Sequence, residues 1–177
     1  MLTLPGRLSR SKGHSDFLYL LQSLLQRGHE CHGLIVGDAG ARHHSYVKEI
    51  KQLVKELGLE KSVSFTGPRS DMREIYAVSN LVLSLSIKPE SFGRTVVESL
   101  SIGTPVVGYG HGGVNEILQN IFPQGIVPVK DSAALFNRVE ALLCQQTITI
   151  KENPYLLQNM LDATINCYDD LLRTPLM

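Results

Sequence analysis

The stretch "LVLSLSIKPESFGRTVVESLSIGTPVVGY", residues 81–109, decides the fold. Leu81 to Ser86 is a short apolar run of strand length, and Thr104 to Tyr109 is another. Between them a helix starts near Gly93 and runs to Ser101. Two strands joined by a helix make a βαβ unit, which packs right-handed on a parallel sheet. The connection also carries two carboxylates eight positions apart, Glu90 and Glu98, with a glycine, an arginine and two hydroxyls between them. Charges set between buried elements call for partners.

The same alternation extends in both directions. Strands are expected at 2–7, 33–37, 62–67 and 125–129. Helices are expected from His14 to Arg27, from Tyr46 to Leu57, and from an Asp71 cap through Val78. Three more cover 113–120, Ala133 to Cys144, and Tyr155 to Leu172. The pattern predicts an α/β fold, a doubly wound parallel sheet of about six strands. It forms one domain over 1–177, with a core over about 1–145, a soft joint at 145–154 and a closing helix at about 155–172.

Composition narrows the function. Seventeen basic and seventeen acidic residues cancel, and no basic tract marks a nucleic-acid surface. Three scattered cysteines, Cys31, Cys144 and Cys167, argue against a disulfide framework and for a reducing compartment. "GHECHG" (28–33) offers His29, Cys31 and His32, but zinc needs four convergent ligands and no second pair accompanies them. His43 and His44 read as a solvated loop. No apolar run spans a bilayer and no signal peptide opens the chain, so a cytoplasmic location is expected.

In open α/β sheets, ligands bind beyond the carboxyl ends of the strands. Five glycine-bearing loops fall there: "GRLSRSKGH" with Gly6, Arg7, Arg10, Lys12 and Gly13; "GDAGA" (37–41); "GPRSD" (67–71); the loop after strand four; and "GHGG" (110–113). Ser91, Phe92 and Gly93 lead into a helix whose first amides, at Gly93, Arg94 and Thr95, lack intrahelical acceptors and favour a phosphate. Arg7 and Lys12 supply cations for further phosphate oxygens. Glu98, about 6 Å along the helix from Arg94, is placed to accept from the vicinal hydroxyls of a ribose. Glu90 then sits at the other end of the nucleotide. Each residue also has a plain structural reading. Glu98 complements a helix dipole, Arg7 and Lys12 are surface charges, Arg94 pairs with Glu90, and Arg10 is solvated.

Together, "GRLSRSKGH", "LIVGDAG" and "VSFTGPRSDMREIYAVSNLVLSLSIKPESFGRTVVESLSIGTPVVGYGHGGVNEIL" closely resemble the donor-binding half of retaining glycosyltransferases of family 4, of the bacterial lipopolysaccharide and cell-surface polysaccharide type. The resemblance covers roughly positions 4 to 130, and its E-x7-E element with an FG turn is the specific part. It implies a Rossmann-like domain, the C-terminal half of a GT-B fold. Glu90 is implied beside the donor sugar, with Arg7 and Lys12 on the diphosphate as the catalytic cations. Gly6, Phe92, Gly93, Arg94 and Thr95 are implied in donor contact, Glu98 on the ribose hydroxyls, and Pro68, Arg69 and Met72 near the base. It implies no cofactor and no metal; basic side chains and the helix terminus stabilise the leaving diphosphate.

Such enzymes place an acceptor-binding domain first, and this chain begins at the first strand of the second. The expectation is therefore a fragment that binds donor without turnover, peripheral at the inner membrane when full-length. Acceptor binding would fall to the N-terminal domain, and the uncovered interdomain face would favour self-association. A nucleotide-sugar epimerase of the same architecture and a non-catalytic nucleotide-binding or assembly module are the alternatives. A dehydrogenase is disfavoured because "GDAGAR" lacks the G-x-G-x-x-G spacing.

Overall fold

The computed structural model describes residues 1–40 and 44–173. Six strands form one sheet: Leu2–Pro5 (β1), Gly33–Val36 (β2), Val63–Gly67 (β3), Leu81–Ser84 (β4), Val106–Tyr109 (β5) and Ile126–Val127 (β6). Their order is β3-β2-β1-β4-β5-β6, with every neighbouring pair parallel. The helices are His14–Gln26 (α1), His44–Glu56 (α2), Met72–Ala77 (α3), Arg94–Ser101 (α4), Gly112–Ile121 (α5), Ser132–Cys144 (α6) and Leu157–Arg173 (α7). The doubly wound α/β expectation holds.

The chain starts in the middle of the sheet, adds β2 and β3 on one side, then crosses back to place β4 on the other. Right-handed crossovers put α1 and α2 on one face and α3, α4 and α5 on the other. Packing agrees, since α1 contacts α2 and α6 while α4 contacts α3 and α5. With both faces covered, β4 and β5 are buried at every position, which explains their continuous apolar character.

Strand order reverses between β1 and β4, which run in register with Leu2 opposite Leu81 and Thr3 opposite Val82. Their following loops therefore leave the sheet side by side. Gly13 (φ 73°) allows it: a Cβ there would lie 2.2 Å from the Leu85 carbonyl oxygen. The Ile87 amide donates to the Ser11 carbonyl at 2.7 Å, and the two loops become one unit.

Some details depart from the sequence reading. Asp71 occupies the cap position of α3 but gives no capping bond; its carboxylate is taken by Arg69, with Nε donating to Oδ1 at 2.8 Å. Helix α2 begins at His44, while His43 and Ala41 lie outside the described residues. Residues 145–154 are not a soft joint. They strap back across the domain, with the Lys151 amide on the Ile121 carbonyl, Asn153 on the Ser101 hydroxyl, and Ile148 and Ile150 against the core. Beyond the strap, α7 buries none of its residues, so it does not dock on its own domain.

Candidate functional site

The crevice at the β1/β4 switch is where this topology places ligands. After β1, a 3-10 turn over Arg10–Lys12 aims Lys12 across at the β4–α4 loop. There its Nζ donates to Glu90 Oε1 at 2.6 Å, with the two side chains 30% and 25% exposed. Glu90 is thus matched with Lys12, and Arg94 instead takes Glu98 one helical turn on, Nε to Oε1 at 3.3 Å. The Arg94–Glu90 pairing does not occur.

Helix α4 is capped by Gly93 with no side-chain bond to its first turn. The leading amides and the positive end of the helix dipole stay open to an anion. Glu98 lies inward on the same helix and accepts a 3.0 Å bond from the Tyr76 hydroxyl. Tyr76 is buried and anchored by Thr104, whose hydroxyl donates to its carbonyl at 2.8 Å. Burial, with the neighbouring Glu98 charge, raises the Tyr76 phenol well above its ordinary pKa and keeps it a donor. A cavity of about 570 Å³ opens beside this pair, lined among others by Ser70, Met72, Tyr76, Arg94, Glu98 and Tyr155.

The structure therefore brings Lys12, Glu90, Gly93, Arg94, Thr95 and Glu98 onto two abutting elements, with Met72 across the cavity from α4. Gly6 lies against Lys12: a Cβ on it would sit 3.7 Å from the Lys12 side chain. Phe92 is half exposed, edge-on to Tyr155 at 5.7 Å. Arg7 is exposed, and among the described residues no partner holds it. Its neighbours Gly6 and Leu8 donate to Val36 and Asp38, which sets it on the β2 side of the crevice. Arg69 is already matched with Asp71. Arg10 forms an exposed pair with Glu49. In "GHECHG", His29 bonds Glu140 and His32 bonds the Ser64 hydroxyl, so the side chains diverge. Among the described residues no group of three or more His, Cys, Asp or Glu is arranged to hold a metal.

Sequence reasoning missed Tyr76, Ser11 and Tyr155. Nothing in the spacing ties Tyr76 to Glu98, 22 positions away. Tyr155 reaches the site only because the 145–154 strap turns back.

The family model described as "Glycosyl transferases group 1" matches residues 1–155. The chain belongs to that family. It is 36% identical over 94 residues to N-acetyl-alpha-D-glucosaminyl L-malate synthase of Bacillus anthracis, a match covering 53% of this chain and 24% of that protein. A glycosyltransferase from Rickettsia africae shares the fold with a TM-score of 0.83 at 23% identity, over 98% of this chain and 48% of that one. HepE from Anabaena, crystallised with UDP and glucose, matches with a TM-score of 0.73 at 31% identity, over 81% of this chain and 38% of that one. The chain spans a quarter to a half of the length of these relatives.

Proposed function

We propose that this chain is the donor-binding lobe of a retaining, family 4 glycosyltransferase. The full enzyme would move a hexosyl group from a nucleoside diphosphate sugar to a glycan or lipid-linked acceptor in cell-surface polysaccharide synthesis. One observation carries the reading: the Lys12–Glu90 pair stands at the side-chain-free N-terminus of α4, eight residues before Glu98. The UDP bound by HepE supports it.

In this reading the diphosphate draws Lys12 away from Glu90 and caps α4, while Arg7 closes from the β2 side. Glu90, released, accepts from a hydroxyl of the donor sugar. Glu98 and Tyr76 hold the ribose, and the base enters the cavity past Met72 and the "GPRSD" loop. As the glycosidic bond breaks, negative charge grows on the leaving diphosphate, where the cations and helix amides are already aimed. No metal or cofactor is needed. A second lobe would supply the acceptor site, so the chain alone would bind donor without turnover. The full enzyme would act in the cytoplasm, peripheral at the inner membrane.

A thermal-shift panel of nucleotide sugars tests this. Ligand at about a hundredfold over its Kd stabilises by about 2.7 kcal/mol. In a chain of this size that raises Tm by about 5–10 °C. At least one nucleotide sugar is expected to do so; no shift from any UDP-, GDP-, ADP- or dTDP-sugar would end the proposal.

A further inference from the structure

The loop carrying Glu90 is gripped from two sides. On one side the Lys12 ammonium donates to the Glu90 carboxylate. The other is "HGG", residues 111–113, where β5 passes into α5. Ladder pairing between β4 and β5 stops at Ser84 opposite Gly108, and the chain beyond leaves the sheet. His111 holds it two residues on. Its Nε2 lies 2.7 Å from the carbonyl oxygen of Ser86, a buried residue. A carbonyl only accepts, so Nε2 carries the proton. The Ser86 hydroxyl then donates to the Lys88 carbonyl at 2.9 Å and turns the chain toward Glu90.

Two further contacts complete the grip. The Gly113 amide donates to the Glu90 carbonyl at 2.8 Å. A Cβ on Gly112 (φ 56°) would stand 2.7 Å from that same oxygen, and one on Gly113 would stand 2.3 Å from the Phe92 carbonyl oxygen. Histidine is a poor choice for a helix cap, and the ring of His111 makes no capping bond. It spends its donor on the Glu90 loop instead.

We propose that His111 is a positioning residue that fixes the Glu90 carboxylate for the donor sugar. This rests on the donor reading given above and adds to it the element that sets Glu90's place. Alanine at 111 leaves the Ser86 carbonyl without its partner and lets the 86–92 segment drift, while Lys12 still meets a diphosphate. Binding of UDP then survives, and the added contribution of the sugar falls.

The test compares the wild type, His111→Ala and His111→Gln, whose terminal amide can restore the donor, by hydrogen exchange and by calorimetry with UDP and UDP-glucose. His111→Ala is expected to speed amide exchange at Ile87 and Gly113, whose amides donate to the Ser11 and Glu90 carbonyls, about tenfold, with exchange in β1 and β4 unchanged. The preference for UDP-glucose over UDP should drop about threefold to tenfold, the range of one hydrogen bond. His111→Gln should recover both. Unchanged local exchange, exchange faster throughout the protein, or an unaltered preference would overturn the proposal. Should local exchange respond while the wild type binds none of the UDP-, GDP-, ADP- and dTDP-sugars, the donor reading falls and the loop anchor stands.

Discussion

Replacing Glu98 by glutamine separates ribose recognition from diphosphate recognition. In the free protein one Glu98 oxygen accepts from Tyr76 at 3.0 Å and the other faces Arg94 at 3.3 Å. Glutamine keeps an oxygen for Tyr76, so the buried phenol is not orphaned; alanine would leave it so, at about 1–3 kcal/mol of stability. Hydrogen bonds to a carboxylate are worth about 1.5–3 kcal/mol and neutral ones about 0.5–1.5. The Glu98 side chain is 41% exposed, so the lower ends apply. UDP affinity should therefore fall by about 1 kcal/mol, roughly fivefold to tenfold. Inorganic diphosphate should bind as before or slightly better, because Arg94 loses its carboxylate partner. Calorimetry with UDP, 2′-deoxy-UDP and inorganic diphosphate reads all three. The loss should shrink with the deoxy ligand, which has one hydroxyl fewer to offer. Equal losses for UDP and diphosphate, or none for either, would refute a ribose role for Glu98.

Two further predictions concern the scaffold. Gly13→Ala puts a methyl into the Leu85 carbonyl at a positive φ, so chemical denaturation should show a loss of at least about 2 kcal/mol; a loss below 0.5 would contradict the close approach. His14 is fully buried with Nε2 unpartnered, and burial, aided by the nearby Lys12 charge, lowers its pKa from 6.5 to about 4. The unfolded chain takes up that proton first as pH falls, so the contribution is whole above pH 6.5 and lost between 6.5 and about 4, amounting to about 3 kcal/mol. His14→Gln should flatten the stability profile in that window; an unaltered slope would show that His14 is not the group responsible.

The sheet was legible because its strands are short, apolar and β-branched, and because Gly28 and Gly58 end the helices before two of them. The crevice was legible for the same reason: strand alternation fixes which loops share a rim, and Lys12, Glu90 and the Gly93 turn all fall on it. Pairing within the rim was not. Arg94 had two carboxylates within reach in sequence, and only the turn of α4 decides for Glu98. Asp71 looked like a cap, yet Arg69 two residues earlier competes for its carboxylate and holds it. The fate of 145–154 depended on Asn153 meeting Ser101 and Lys151 meeting Ile121, long-range bonds with no local signature. Helix α7 carries Leu157, Met160, Ile165 and Leu171 in periodic array, and periodicity alone does not tell a docked helix from an exposed one.

Calorimetric titration of UDP into the wild type and Lys12→Met, both folded at the working temperature, asks whether the β1/β4 crevice grips the diphosphate. If the Lys12 ammonium leaves Glu90 for the diphosphate, its removal deletes a charge-assisted bond and leaves a carboxylate facing the phosphates. UDP affinity should then fall by about tenfold to a hundredfold. Equal affinity in the two proteins would mean that the crevice between β1 and β4 does not hold the diphosphate.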